Sequence, residues 1–244
     1  MMRLAVSVVR RFYLTMALAT TLVVIAGFAP SYYLRPFVRV THYPTGIPVS
    51  PTLPLLIHIH AVVLSLWLVL LLVQTTLVAA GRTEVHKRLG IAGAALVPVI
   101  LVLGVLTAIR GARDGWNPGG PFADSLEFLI VGLGDITLFT GFVAAALYYR
   151  RQPEIHKRLM ILGALGGLMW PAITRIPYIA PHSGPMFGLL LALVAAAPIR
   201  DYTTRRRIHP VTLWGSLIIL ASFPLREVVA KTSAWHVFAA WMIR

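Results

Sequence analysis

Eight histidines and no cysteine set the chemistry open to this 244-residue chain. Without thiols there can be no disulfide, thiolate metal site, cysteine-ligated iron–sulfur cluster or cysteine nucleophile. A metal ion or haem must then be held by His, Met, Tyr, Asp or Glu. Three histidines sit in related basic segments: Arg82-Thr-Glu-Val-His86-Lys-Arg-Leu-Gly90, Arg151-Gln-Pro-Glu-Ile-His156-Lys-Arg-Leu-Met160 and, more loosely, Arg205-Arg-Arg-Ile-His209-Pro210. Each of these histidines opens an apolar run. The positive end of a helix dipole and the neighbouring Lys and Arg disfavour imidazolium there. That leaves neutral imidazole, the form that binds metal or haem iron. If His86, His156 and His209 converge, they make a three-histidine site that accepts Zn, Cu or Fe, or one haem. Glu84, Glu154 and Asp201 lie in the same turns as extra ligands or outer partners. The competing role for these histidines is interfacial, capping helices and touching phosphate headgroups.

A second set of polar residues lies inside the apolar runs. His58 and His60 are two positions apart, so on a helix they point about 200° away from each other and cannot chelate one ion. His60, Trp67 and Gln74 recur every seven residues and mark an inward stripe. Asp135 lies deep in Val-Gly-Leu-Gly-Asp-Ile-Thr. A carboxylate there must face the interior and find a partner, for which the sequence offers His60, Arg175, Arg110 or Glu127. Two haems embedded between paired histidines would need a histidine about 14 residues beyond His60, and Gln74 stands there. There is no Walker motif, dinucleotide glycine pattern or His-Glu-x-x-His. The last apolar run carries no mid-membrane lysine for a retinal Schiff base.

The elements that must position these residues are membrane helices. Hydrophobic residues make up 58% and charged residues 12%, roughly half the charge of a soluble domain, and mean hydropathy is +0.79. Apolar runs of about 20 residues suit a bilayer core of about 30 Å. They predict spans over 12–29, 54–80, 89–109, 126–148, 159–176, 186–199 and 210–229, with Pro98, Pro171 and Pro224 as kinks. The last run is interrupted by Pro224, Arg226 and Glu227, which leaves six spans as the alternative. The segment 232–244 is expected along the interface.

The formal charge of +14 does not imply nucleic acid, because most of the basic residues sit in short turns rather than on a soluble face. Their placement puts the N-terminus and the three histidine turns on the cytoplasmic side, against anionic headgroups. Tyr32, Tyr33 and Tyr43 in the first outer loop suit the opposite interface, and Asn117-Pro118-Gly119-Gly120 marks a turn there. The expectation is one all-α domain over 1–244: a leading span followed by three helical hairpins.

The His-Ile-His-Ala segment from His58, Gln74-Thr-Thr-Leu-Val-Ala-Ala-Gly-Arg, His86-Lys-Arg-Leu-Gly and His156-Lys-Arg-Leu-Met resemble a group of bacterial polytopic integral membrane proteins over most of the chain. That resemblance implies a multi-pass protein of the bacterial cytoplasmic membrane. The His-Lys-Arg-Leu-Met turn is also similar to one in small membrane proteins of haem-copper oxidase maturation. It implies a haem or copper connection and a respiratory or other membrane complex as partner. Two other functions fit the residues. One is a proton-coupled small-solute carrier using His60, Asp135 and Arg175. The other is a structural subunit of a membrane complex.

Overall fold

The computed structural model describes residues 2–42, 50, 52–117 and 121–244, with side chains from residue 11 onward. Tyr43 and positions 118–120 of the expected turn lie outside the described residues. Among the described residues the chain forms eight α-helices and one π-helical turn, with no strand. In order these are α1 (Met2–Phe28), the π turn (Ala29–Tyr33), α2 (Leu55–Ala79), α3 (Thr83–Arg113), α4 (Ser125–Tyr148), α5 (Pro153–Ile173), α6 (Ser183–Arg205), α7 (Pro210–Ala230) and α8 (Ser233–Met242). Six helical segments are long and apolar enough to cross a membrane: 11–33, α2, α3, α4, α6 and α7. The chain is thus a multi-pass membrane protein by the length and composition of its helices. The weakest run in the sequence, 210–229, proves to be one continuous 21-residue helix with Pro224 inside it. The segment 232–244 is itself mostly helix, α8, packed against α4.

Local chemistry sets the helix ends. At the end of α2, Gly81 adopts φ +78°, which costs glycine little. Arg82 N then donates to Leu77 O at 2.8 Å and Gly81 N to Val78 O at 3.1 Å, satisfying the last carbonyls. Asp124 caps α4 by accepting from Glu127 N at 2.8 Å, while the Glu127 carboxylate accepts from Ala123 N at 2.8 Å. Thr232 caps α8 through Trp235 N.

Helix α5 is the centre of the bundle. It packs against α1, α4, α6 and α7, and its residues from Arg158 to Ile173 are largely buried. Glycine makes the closest approach possible. A Cβ on Gly163 would meet Val143 at 2.9 Å, and one on Gly167, four residues on, would overlap Phe139. This small-x-x-x-small spacing lets α5 lie tightly on α4, where van der Waals packing drives association. On the other side α1 crosses so closely at Gly27 that any side chain would collide with the Ala172 backbone. The core is continuous from Tyr13 and Met16 through Trp67, Phe139, Leu165 and Met169 to Ile219.

Candidate functional site

The α2–α3, α4–α5 and α6–α7 turns meet at one end of the bundle, called here the basic end. Two of the three turn histidines come together there. The His86 and His156 rings are edge-to-face with centres 6.2 Å apart. His156 Nδ1 lies 2.8 Å from Ala146 O, the last turn of α4. A carbonyl only accepts, so Nδ1 carries the proton and Nε2 keeps its lone pair. This is the arrangement in which a second hydrogen bond orients a metal-ligating imidazole. The His86 ring lies beside the Gln74 main chain, and its Nδ1 is buried without a hydrogen-bond partner among the described residues.

His209 does not join them. It caps α7, its Nδ1 accepting from Val211 N at 3.2 Å, and its own N–H reaches Asp201. The Pro210 that follows starts the helix at His209, and the cap spends the ring nitrogen that a metal would need. Among the described residues no group of three or more His, Asp or Glu is placed to hold a metal ion. The expected three-histidine set is therefore a pair. The acidic residues of the turns are also engaged elsewhere, Glu84 with Lys87 at 2.7 Å, and Glu154 and Asp201 in a network with Arg158.

The stripe on α2 runs into this pair. Trp67 is 3% exposed and meets Phe139 edge-on at 5.0 Å between ring centres. His60 Nδ1, Trp67 Nε1 and Gln74 Oε1 are all buried without a hydrogen-bond partner, and His86 Nδ1 continues the series. From His60 to Gln74 the helix rises about 21 Å at 1.5 Å per residue. A Cβ on Gly90, one turn beyond His86, would lie 3.5 Å from the Gln74 amide. Buried polar atoms are nearly always bonded, so a file of unbonded ones needs an explanation.

His58 sits on a different face, as the 200° argument requires, with Nδ1 3.4 Å from the Tyr32 hydroxyl. Asp135 is 7% exposed and salt-bridged to Arg226 at 2.6 Å. That ion-pair partner is not among those the sequence suggested. Arg226, one of the residues that interrupt the last apolar run, reaches inward from α7 to meet Asp135. Gly134 makes the room, since a Cβ there would overlap the guanidinium. Arg226 also donates to Val131 O, and its Nη2 is buried without a partner. Arg175 donates to Pro171 O at 2.6 Å and stacks over Phe28 and Trp116. Glu127 faces His236 at 3.6 Å, and Arg110 pairs with Asp114 at 2.7 Å.

Beside the histidine pair lies a second polar centre. Arg158, 2% exposed, donates to Asp201 at 2.6 Å, to Thr212 Oγ1 at 3.0 Å and to the Glu154 carboxylate at 2.8 Å. Thr212 donates in turn to Asp201 at 2.8 Å, and Arg205 to Glu154 at 2.6 Å. The network ties α5, α6 and α7 together. Burial pushes the Glu154 carboxyl up, but hydrogen bonds from Lys157, Arg158 and Arg205 outweigh it and hold the pKa at about 2. At His209, burial and then the Arg158 charge push the imidazole pKa down.

No protein family, curated protein or solved structure matches the chain. The ion network was legible only in fragments. The His-Lys-Arg repeat drew attention to the histidines, while the Arg after His156 carries the buried ion pair. Its counterpart Arg88 is exposed. The Gly163-x-x-x-Gly167 spacing was the available signal that α5, and hence Arg158, would be central.

Proposed function

We propose that this chain is a multi-pass protein of the bacterial cytoplasmic membrane that takes a single metal ion, of the Zn, Cu or Fe class, at His86 and His156, in redox chemistry or the maturation of a respiratory complex. In this reading α5 crosses the bilayer with the other six, giving seven spans with the N-terminus and the basic turns on the cytoplasmic side. The excess of Lys and Arg in those turns supports that orientation.

The observation that carries the reading is the histidine pair. Two imidazoles bound head-on to one ion at about 2.0–2.1 Å have ring centres roughly 6 Å apart, and these are 6.2 Å apart. The Ala146 carbonyl fixes one ring in the tautomer that keeps a lone pair outward on Nε2. In this reading the Gln74 carboxamide oxygen, buried and unbonded on the same α2 stripe, is the neutral oxygen donor assigned to complete the set. The redox or maturation role rests on the His-Lys-Arg-Leu-Met resemblance. The carrier alternative loses support, because its central carboxylate, Asp135, is already paired with Arg226.

Metal analysis and an absorption spectrum of the protein purified without chelator test the proposal. One bound metal per chain is expected, falling at least tenfold in His156→Ala and His86→Ala. A strong Soret band would replace the bare ion with one haem on the same pair. Metal-free protein that takes up neither Zn, Cu or Fe ions nor haem on titration would sink both.

A further inference from the structure

At the end of the bundle remote from the basic turns, the π turn leaves α1 with two adjacent tyrosines directed at α2. The turn is closed by Leu34 N donating to Ala29 O at 2.7 Å, an i→i+5 bond of the kind that often marks functional sites. Tyr33 OH lies 2.8 Å from Ser65 Oγ, and Tyr32 OH 3.4 Å from His58 Nδ1. The two bonds hold the aromatic wall of a cavity of about 400 Å³, whose lining is Tyr32, Tyr33, Arg35, Pro36, Leu53 and His58. That volume lies in the range of small-molecule sites.

Charge accounting says what it should hold. Arg35 is half-buried and donates to the Ser31 and Ser50 carbonyls. A guanidinium has five N–H donors and always carries its charge. Both acceptors are neutral carbonyls, so the charge is left without an anion, and the chain has no carboxylate to give it. The chain has eight acidic residues, and the first of them is Glu84. Glu84 is held by Lys87, Asp114 by Arg110, Asp135 by Arg226 and Glu227 by Lys231. Glu154 and Asp201 belong to the Arg158 network. Asp124 and Glu127 cap the start of α4. Every carboxylate is engaged away from Arg35.

We infer that this cavity is a binding site for the phosphate of an anionic amphiphile, a membrane lipid headgroup being the source that fits its position. Arg35 donates to the phosphate, and the Tyr32–His58 pair, whose mutual bond uses one of its two protons, adds one further donor beside it. Leu53 and Pro36 offer apolar surface to the adjoining glycerol and acyl region. The site is independent of the histidine pair and lies at the other end of the molecule.

Native mass spectrometry of the protein released from nanodiscs tests this. The discs are made of phosphatidylcholine with and without phosphatidylglycerol, and inorganic phosphate is added in a separate arm. Wild type should retain phosphatidylglycerol in preference to phosphatidylcholine. Arg35→Gln should cut that retention about tenfold and Tyr32→Phe about threefold, in line with the loss of a charged and of a neutral hydrogen bond. Displacement by millimolar inorganic phosphate would show that the phosphate alone is recognised, and supports the site with a free anion as its source. Equal retention by wild type and both variants overturns the proposal. So does a loss produced equally by Arg150→Gln, which would put the lipid at the basic end. Tyr32→Phe keeps the test decisive if Arg35→Gln does not fold.

Discussion

Two buried polar regions, one gathered at the basic end and one running along α2 into it, differ in completeness. Around Arg158, on α5, α6 and α7, the polar atoms answer one another: guanidinium to Asp201 and Glu154, Thr212 to both Arg158 and Asp201, His209 N–H to Asp201. Along α2 and into α3, His60, Trp67, Gln74 and His86 each present a buried atom that none of the described residues answers. A closed network rigidifies, and an open one waits for something. The difference separates the region that holds three helices together from the region in which we propose that the metal sits. Asp135 and Arg226 stand between the two cases, paired on one nitrogen and open on the other.

The comparison breaks most visibly at Arg158. Replacing it with Leu leaves Asp201, 2% exposed, as an uncompensated buried charge. Loss of one partner of such a pair costs about 3–5 kcal/mol. The double variant Arg158→Leu/Asp201→Leu should recover much of this, because the unpaired charge disappears with its partner. Chemical denaturation in detergent, followed by helical circular dichroism, reads both. A single variant as stable as wild type would mean that the network is not closed.

At the intermediate pair the expected effect is smaller. Gly134→Ala drives a methyl group into the Arg226 guanidinium. Arg226 must shift from Asp135, at a cost in the range of about 1–3 kcal/mol for overpacking. Thermal unfolding of Gly134→Ala beside Gly141→Ala makes the check, since a Cβ on Gly141 meets nothing within 4 Å. Comparable losses in both would assign the effect to the helix rather than to the pair.

Acid titration probes the closed network without mutation. The Glu154 pKa is about 2 in the fold against an ordinary 4.5. Its contribution to stability is therefore fully present above the ordinary value and is lost as pH falls from there towards about 2. Glu154→Gln should flatten that part of the stability curve, leaving the region above pH 5 nearly parallel to wild type. A wild-type curve with no slope between about pH 4.5 and 2 would contradict the assignment. Glu154 is about half exposed, so the effect is a modest one.

What could be read from the sequence divides along the same line. Hydropathy and turn chemistry are local, so the helices and the basic end were legible from runs and charges. The α2 stripe was legible too, because a seven-residue recurrence on one helix fixes its face whatever the helix packs against. Pairing across helices was not. Asp135 and Arg226 are 91 positions apart, and nothing local distinguishes Arg226 from Arg175 as the partner. His209 shows the same limit from the other side. Its motif matched those of His86 and His156, but Pro210 made it a helix cap, and the two roles compete for one ring nitrogen.

The smallest expected effect decides what the open region is. In metal-free protein, Gln74 Oε1 is a buried acceptor with nothing to accept from, a condition that costs about 1–3 kcal/mol. Gln74→Leu, similar in volume, removes the orphaned atom along with the amide. Metal-free Gln74→Leu should therefore unfold at the same temperature as wild type or slightly higher, which is the reverse of most buried substitutions. The gain should vanish when metal is added. A ligand that binds only the folded state adds about 2.7 kcal/mol at one hundred times its Kd, and only wild type would collect the full amount if the amide oxygen is a ligand. The sign of the stability difference would then reverse between metal-free and metal-loaded protein. Gln74→Leu destabilised equally in both would place a permanent partner, such as an ordered water, on Oε1, and the α2 face would then be a second closed region rather than an open one.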